Sequence, residues 1–320
     1  MDIHKIVIPT PFPVGDVNTF LVKGDALTLF DAGIKTDEAF EAMKWGIRAA
    51  GYSIDDVEQV VLTHHHPDHI GLVEAFPKAN LYAHPIVGHW MDKDPNFISY
   101  NEAFYKQELM QEGVPAHYID KVIGVRAELR FMGSKPLTAA LKEGDEVPGH
   151  PGLIALETPG HAQSHLVFYE AATGQCIGGD LLLDKVSSNP LVEPPASLNG
   201  ERPKSLLQYN DSLKRIRDLN VKIVYAGHGE EVTNVGELVN DRLAKQHERA
   251  MKVQQMLTTP QSVYEVTQNL FRKIYKAQLG LTLSETLGQL DYLVANGLAE
   301  FETHEGVDYY VATSKVAASI

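Results

Sequence analysis

Apolar and polar positions follow a short period over the first ninety residues. KIVIPTPF, NTFLVKG and LTLFDAG are β-rich runs bounded by Pro, Gly and Asp, and each predicts a strand. In DEAFEAMKWGIRAAG the period lengthens: Phe40, Met43, Trp45 and Ile47 fall at roughly helical spacing, and Gly51 provides a stop. VEQVVLT is a continuous apolar run, as expected of a strand buried on both faces, and ANLYAHP reads as the next strand.

From about residue 88 to 135 the rhythm is interrupted. NFISYNEAFYKQELMQEG and AHYIDKVIGVRAELRFMG carry helical periodicity and many aromatics, which predicts a helical insertion. Strands resume with LIALETPGH, HLVFYEA and QCIGGD, the last two joined by a hairpin turn at ATG (172–174). A helix (KSLLQYNDSLKRIRDL), a strand (VKIVYAGHG) and a long helix over about 235–257 follow. Beyond TTPQ the order becomes helix, helix and β-hairpin, with the hairpin turning at HEG. That order predicts a winged-helix-like unit, so the domains are expected to divide as 1–257 and 258–320.

Composition narrows the class only slightly. Hydrophobic content of 44% and charged content of 22% are ordinary for a soluble globular chain. MDIHKIVIPT has no basic stretch leading into a long apolar run, so no signal peptide is expected, and no stretch reaches the roughly 18 apolar residues that span a bilayer. A cytoplasmic location without membrane attachment is the expectation. The single cysteine, Cys176, excludes an internal disulfide and a cysteine-built zinc site, and its apolar strand makes it a core residue. The formal net charge of −14 argues against nucleic acid as a partner, because phosphate binding draws on Lys and Arg.

Candidate chemistry concentrates in LTHHHPDHIGL. His64 and His66 stand two apart at a strand end, so their side chains leave on one side and can share a cation. Asp68 and His69 follow after Pro67, giving a second pair of ligand-type residues. If ligands gather at one rim of a sheet, more should follow later strands. His161 in ETPGHAQSH, Asp180 in CIGGDLLL and His228 in VYAGHGEE do so, each after an apolar strand and a Gly-containing turn.

The motifs HHHPDH, PGH, GGD and GHG resemble the metallo-β-lactamase superfamily, and within it the glyoxalase II-like hydrolases, from about residue 5 to 235. The resemblance implies an α/β fold, an αββα sandwich of the metallo-β-lactamase type, carrying the helical insertion and the winged-helix-like tail. It also implies two divalent metal ions, zinc by preference with iron or manganese as alternatives. His64, His66 and His161 would bind one, and Asp68, His69 and His228 the other. Asp180 would bridge them, and Asp68 would also orient the nucleophile as a catalytic residue. Such a centre holds a bridging hydroxide, because coordination lowers the pKa of bound water to about 7. The chain departs from two branches: it has Asp180 where one class of β-lactamases has Cys, and His66 where flavodiiron proteins have a carboxylate. Leu183 stands where quorum-signal lactonases place Tyr.

The other polar residues have plainer expectations. His65 is read as a structural neighbour of the ligands, and His165 as support for its loop or for a ligand. Structural roles are expected of His84, His89 and His117, and support of the histidine loop is expected of Asp31. The insertion is read as a packed helical pair that also forms a lid, with PLVEPPASLNGERP (190–203) as a loop near the metals. The tail holds four Lys or Arg against seven Asp or Glu, and its second helix has no basic residue, so packing or homodimer formation is expected of it. The function expected is hydrolysis of a small-molecule thioester, ester or lactone by the two-metal centre. The rival is a metal-dependent single-strand endoribonuclease or phosphodiesterase, which would share every ligand. A mononuclear-iron sulfur dioxygenase would use a reduced ligand set.

Overall fold

The computed structural model describes residues 1–123, 125–195 and 200–314, without the side chains of 120–122. Among them the first sheet comprises β1 (Asp2–Ile8), β2 (Val17–Lys23), β3 (Leu27–Phe30), β4 (Gln59–Val61), β5 (Asn80–Ala83) and β6 (Ala139–Ala140), in that spatial order. Pairing is antiparallel from β1 to β3 and parallel from β3 to β6. The second sheet has the order β10 (Ile223–Ala226), β9 (Gln175–Gly179), β8 (Leu166–Glu170), β7 (Leu153–Glu157). The expected 172–174 hairpin is present, with β8 and β9 antiparallel and Gly174 at φ +74°.

Two compact units divide the chain. The first holds Met1–Ile98, Val125–Ser188 and Ser212–Val239, and contains both sheets. Its core joins them: Phe20, Val22, Phe30 and Val61 of the first sheet pack with Leu153, Leu166, Phe168 and Ile177 of the second, and the Phe30 and Phe168 rings lie 5.2 Å apart. This is the two-sheet sandwich expected from the sequence. Helix α1 (Asp37–Ala49) starts at an N-cap, Thr36, whose side chain accepts the Ala39 N–H. It buries Ala39, Met43, Gly46 and Ile47, with Gly46 directly against Ile6 of β1. Trp45, at helical spacing in the sequence, is instead 74% exposed, because it falls outside that buried stripe.

The second unit holds Ser99–Gly124, Asn189–Asp211 and Asn240–Ile320. The expected insertion is therefore shared: the helix α3 (Pro85–Asp92), with α2 (Pro67–Ile70) before it, belongs to the first unit. The later part of α4 (Pro95–Gln111) and α5 (Ala116–Val122) belong to the second, whereas α6 (Val125–Glu128) returns to the first. After α7 (Ser205–Asp218) and α8 (Val235–Met256), the tail forms α9 (Val263–Leu270), α10 (Leu279–Ala295) and a sheet of β11 (Gln261–Ser262), β13 (Val307–Ala312) and β12 (Ala299–His304), in that spatial order. Helix, helix and hairpin thus occur in the expected order, and Glu305 and Gly306 at φ +51° and +81° make the turn. The core of this unit reaches beyond residue 258: Ala250, Val253 and Leu257 of α8 and its following turn, with Leu109 and Val114, pack against Leu283, Leu287 and Leu290 of α10.

A buried ionic cluster lies in the second unit. Arg202 donates to both carboxylate oxygens of Asp291, at 2.8 and 2.9 Å, and its Nε lies 2.8 Å from Glu108. Lys204 also reaches Asp291, at 2.9 Å. Arg202 belongs to the 190–203 loop, part of which, 196–199, lies outside the described residues.

Candidate metal centre

The histidine motif is placed by β4. Its three buried residues, Gln59–Val61, lead into Leu62 and Thr63, and the chain then turns at His66 into α2, which Pro67 starts. His64 is thereby left on the strand end, with Asp68 and His69 in the first turn of the helix. His161 follows β7, Asp180 directly follows β9 and His228 follows β10. All seven predicted ligand residues lie in the first unit and converge there.

Two foci result. His64 Nε2 and His161 Nε2 lie 2.9 and 3.0 Å from His66 Nδ1, so three ring nitrogens meet at one point. In the second focus, His228 Nε2 lies 3.4 Å from Asp68 Oδ2, and Asp68, His69 and His228 can share a cation. Asp180 stands between the foci: Oδ1 is 3.4 Å from His69 Nε2, and Oδ2 is 3.4 Å from His228 Nε2 and 3.6 Å from His161 Nε2.

Each of four ring orientations is held by a partner on the remote nitrogen. Asp31 Oδ2 lies 2.7 Å from His69 Nδ1, and the backbone carbonyl of Asp16 lies 2.7 Å from His228 Nδ1. Thr63 Oγ1 is 2.9 Å from His64 Nδ1, and Ser188 Oγ is 2.8 Å from His161 Nδ1. Such partners set the tautomer and aim the other nitrogen. Asp31 supports the histidine loop as expected, since its carboxylate also accepts the Thr63 N–H and hydroxyl at 2.8 and 2.9 Å. It adopts φ +60°, a conformation Asp tolerates better than most residues. The roles of Ser188 and the Asp16 carbonyl were not visible in the sequence, since a lone Ser or a backbone oxygen carries no motif.

His165 joins Thr158 Oγ1, 2.9 Å from its Nδ1, to the Asp180 N–H, which its Nε2 accepts. His84 caps α3 by accepting the Ile86 N–H, His89 stacks on Phe97, and His117 packs on Tyr118. Cys176 is buried, and burial pushes its thiol up to about 12, which suits the core role expected of it. Glycine is required beside the site: a Cβ on Gly227 would stand 2.2 Å from Asp180 Oδ1, so any side chain would displace the carboxylate.

The two foci differ electrostatically. Burial and neighbouring imidazoles hold His64 and His66 well below the usual histidine range, so both are neutral with lone pairs available. Burial also disfavours charge on His69 and His228, but carboxylates outweigh it. Asp180, Asp31 and Asp68 raise His69 well above its ordinary value, and Asp180 with Asp68 raises His228 to about 10. Burial works against the Asp180 carboxylate too, yet His228 and His69 hold it well below the ordinary range. The clustered histidines and aspartates could hold metal. His69 Nε2, His228 Nε2 and Asp180 Oδ1 are buried without a well-formed hydrogen bond, and their polar contacts are ion pairs at 3.4 Å among Asp68, His69, Asp180 and His228, loose pairings that a cation between them would replace.

Residues 12–228 match the family model of the metallo-beta-lactamase superfamily. Over 316 residues the chain is 40% identical to "Probable metallo-hydrolase YqjP" of Bacillus subtilis (strain 168), covering 98% of each chain. It is 24% identical over 307 residues to "Beta-lactamase-like protein 2 homolog" of Caenorhabditis elegans, covering 93% of this chain and 86% of that one. The crystal structure of a metallo-beta-lactamase family protein from Thermus thermophilus is similar over 97% of this chain and 98% of its own, with 26% identity and a TM-score of 0.79. With the family model matched across both foci and a relative so similar over nearly its full length, this chain belongs to the metallo-β-lactamase superfamily.

Proposed function

We propose that the protein is a dinuclear metal-dependent hydrolase, glyoxalase II-like in kind, that acts on a small thioester, ester or lactone. The observation that carries this reading is Asp180, whose two oxygens reach the three-imidazole focus on one side and the Asp68–His69–His228 focus on the other. The name of the Bacillus relative, a probable metallo-hydrolase, supports the reaction class.

His64, His66 and His161 would hold one cation, Asp68, His69 and His228 the other, and Asp180 would bridge them. The all-nitrogen focus suits zinc, with iron or manganese as alternatives. When bound, two such cations supply a water deprotonated near neutral pH and polarise the substrate's carbonyl. Asp68, beside His228, would hold and orient the proton of the attacking water. Asp31, Thr63, Ser188 and the Asp16 carbonyl keep the imidazoles aimed.

The domain reading proposed with this function is a catalytic domain over 1–257 and a winged-helix-like domain over 258–320. The order of α9, α10 and the β12–β13 hairpin supports it. The absence of Lys and Arg from α10, with most of its residues buried, favours packing or dimer formation over nucleic-acid binding. No helix among the described residues is long and apolar enough to cross a membrane, consistent with a small-molecule substrate met in water.

The test joins metal analysis to a substrate panel of thioesters, lactones, phosphodiesters and single-stranded RNA. Two metals per chain and turnover of a carbonyl ester, lost in His66→Ala, are expected. Cleavage of RNA lost in His66→Ala, without turnover of any carbonyl ester, would overturn the choice.

A further inference from the structure

The three-imidazole focus brings ring nitrogens to 2.9 and 3.0 Å from one another, on loops about a hundred residues apart in sequence. A side chain outside the three that meet there joins the two loops beside it. His65 is so placed. Its backbone N–H and its Nδ1 both meet Ser164 Oγ, at 3.2 and 2.8 Å. His65 stands between His64 and His66, and Ser164 lies three residues after His161, so one fully buried hydroxyl pins the two ligand-bearing loops.

The face of the same ring is also engaged. Trp90 of α3 stacks on His65 with centroids 5.0 Å apart and planes 2° from parallel, and the rings of Trp90 and Phe97 form a T-shaped pair with centroids 5.1 Å apart. Both aromatics belong to the first unit and to the start of the insertion.

We propose that His65 is a positioning residue for the metal centre, fixed at its edge by Ser164 and at its face by Trp90. Through it, metal loading is transmitted to the aromatic cluster of the insertion. The edge and the face have separable tasks. Loss of the Ser164 hydrogen bonds loosens one ligand loop against the other, leaving the Leu166 N–H to Thr63 carbonyl bond at 2.7 Å, whereas loss of the stack leaves the ligands in place and uncouples Trp90. The proposal rests on the reading of His64, His66 and His161 as ligands.

The chain has two tryptophans, and Trp45 is exposed, so Trp45→Phe leaves Trp90 as the sole reporter. In that background, chelator-stripped protein is titrated with zinc against a chromophoric chelator while Trp90 emission is followed. Emission should change in step with zinc bound. Ser164→Ala, which lacks both hydrogen bonds, and His65→Phe, which lacks the side-chain one, should weaken zinc binding by roughly 10- to 100-fold, whereas His65→Asn, which keeps a polar atom near the Nδ1 position, should stay within about threefold of the parent. In His65→Asn the zinc-dependent change of Trp90 emission should disappear. Unchanged zinc affinity in Ser164→Ala, or an unchanged Trp90 response in His65→Asn, overturns the proposal. A parent that binds no zinc or other divalent metal overturns the ligand reading itself, and the proposal with it.

Discussion

His165 Nε2 accepts the backbone N–H of Asp180 at 3.2 Å. A ring nitrogen that accepts carries no proton, so Nδ1 bears the hydrogen and donates it to Thr158 Oγ1. Burial, with His161 alongside, keeps His165 well below the usual histidine range and so maintains that state. His165→Ala would leave the buried Asp180 N–H unsatisfied, at a cost of about 1–3 kcal/mol. Calorimetry should show a melting temperature lower by roughly 3–10 °C, with reduced metal content.

Asp31 accepts from Thr63 twice and from His69. Asn tolerates the same positive φ, so Asp31→Asn removes charge while sparing the backbone. Metal affinity of the Asp68–His69–His228 focus is expected to fall by roughly 10- to 100-fold, with the other focus less affected. A ratio of metal to protein moving from two toward one during dialysis checks this.

Asp68 is assigned two tasks, ligation and proton handling. At full metal occupancy, confirmed by metal analysis of the assayed sample, Asp68→Asn should lower kcat by about 100-fold or more. Retention of most turnover would leave Asp68 a ligand only.

The metal-free protein should show a distinctive pH dependence. His228 is raised from 6.5 to about 10 in the fold, against the burial that opposes its charge, by Asp180 and Asp68. Its contribution to stability is therefore complete below 6.5 and lost as pH rises through about 10. His69 is shifted in the same direction. Asp180, held low, contributes above its ordinary value of 3.8 and loses that contribution as pH falls through its depressed folded value. Urea titrations of chelator-stripped protein should show stability from this cluster declining between pH 6.5 and about 10. Because metal displaces those protons, zinc binding at about pH 7.5 should release protons, which calorimetry in buffers of different ionisation heats will count.

Arg202 neutralises Glu108 and Asp291 inside the second unit. Arg202→Met would leave two buried carboxylates with Lys204 as the remaining cation, and should destabilise by about 3–5 kcal/mol. Burial already pushes Glu108 and Glu112 above the ordinary carboxylate range, so low pH should lessen the loss. Unfolding of the variant at about pH 5 and about pH 8 compares the two.

Much of this protein was legible one residue at a time. Strand and helix periods, the Gly-marked strand ends and the ligand-type residues His64, His66, Asp68, His69, His161, Asp180 and His228 that follow them are local features, because a side chain's face and a turn's backbone depend on near neighbours. Tertiary structure decided which surfaces meet. Trp45 has helical spacing but lies outside the buried stripe of α1, and only packing on β1 selects that stripe. The tail looks self-contained in sequence, yet its core takes in Ala250, Val253 and Leu109, since apolar faces carry no record of their partners. Likewise His65 reads as one histidine among four. Its meeting with Ser164 and Trp90 depends on how the chain closes loops over tens of residues, and that closure is set by the packing of the whole sandwich.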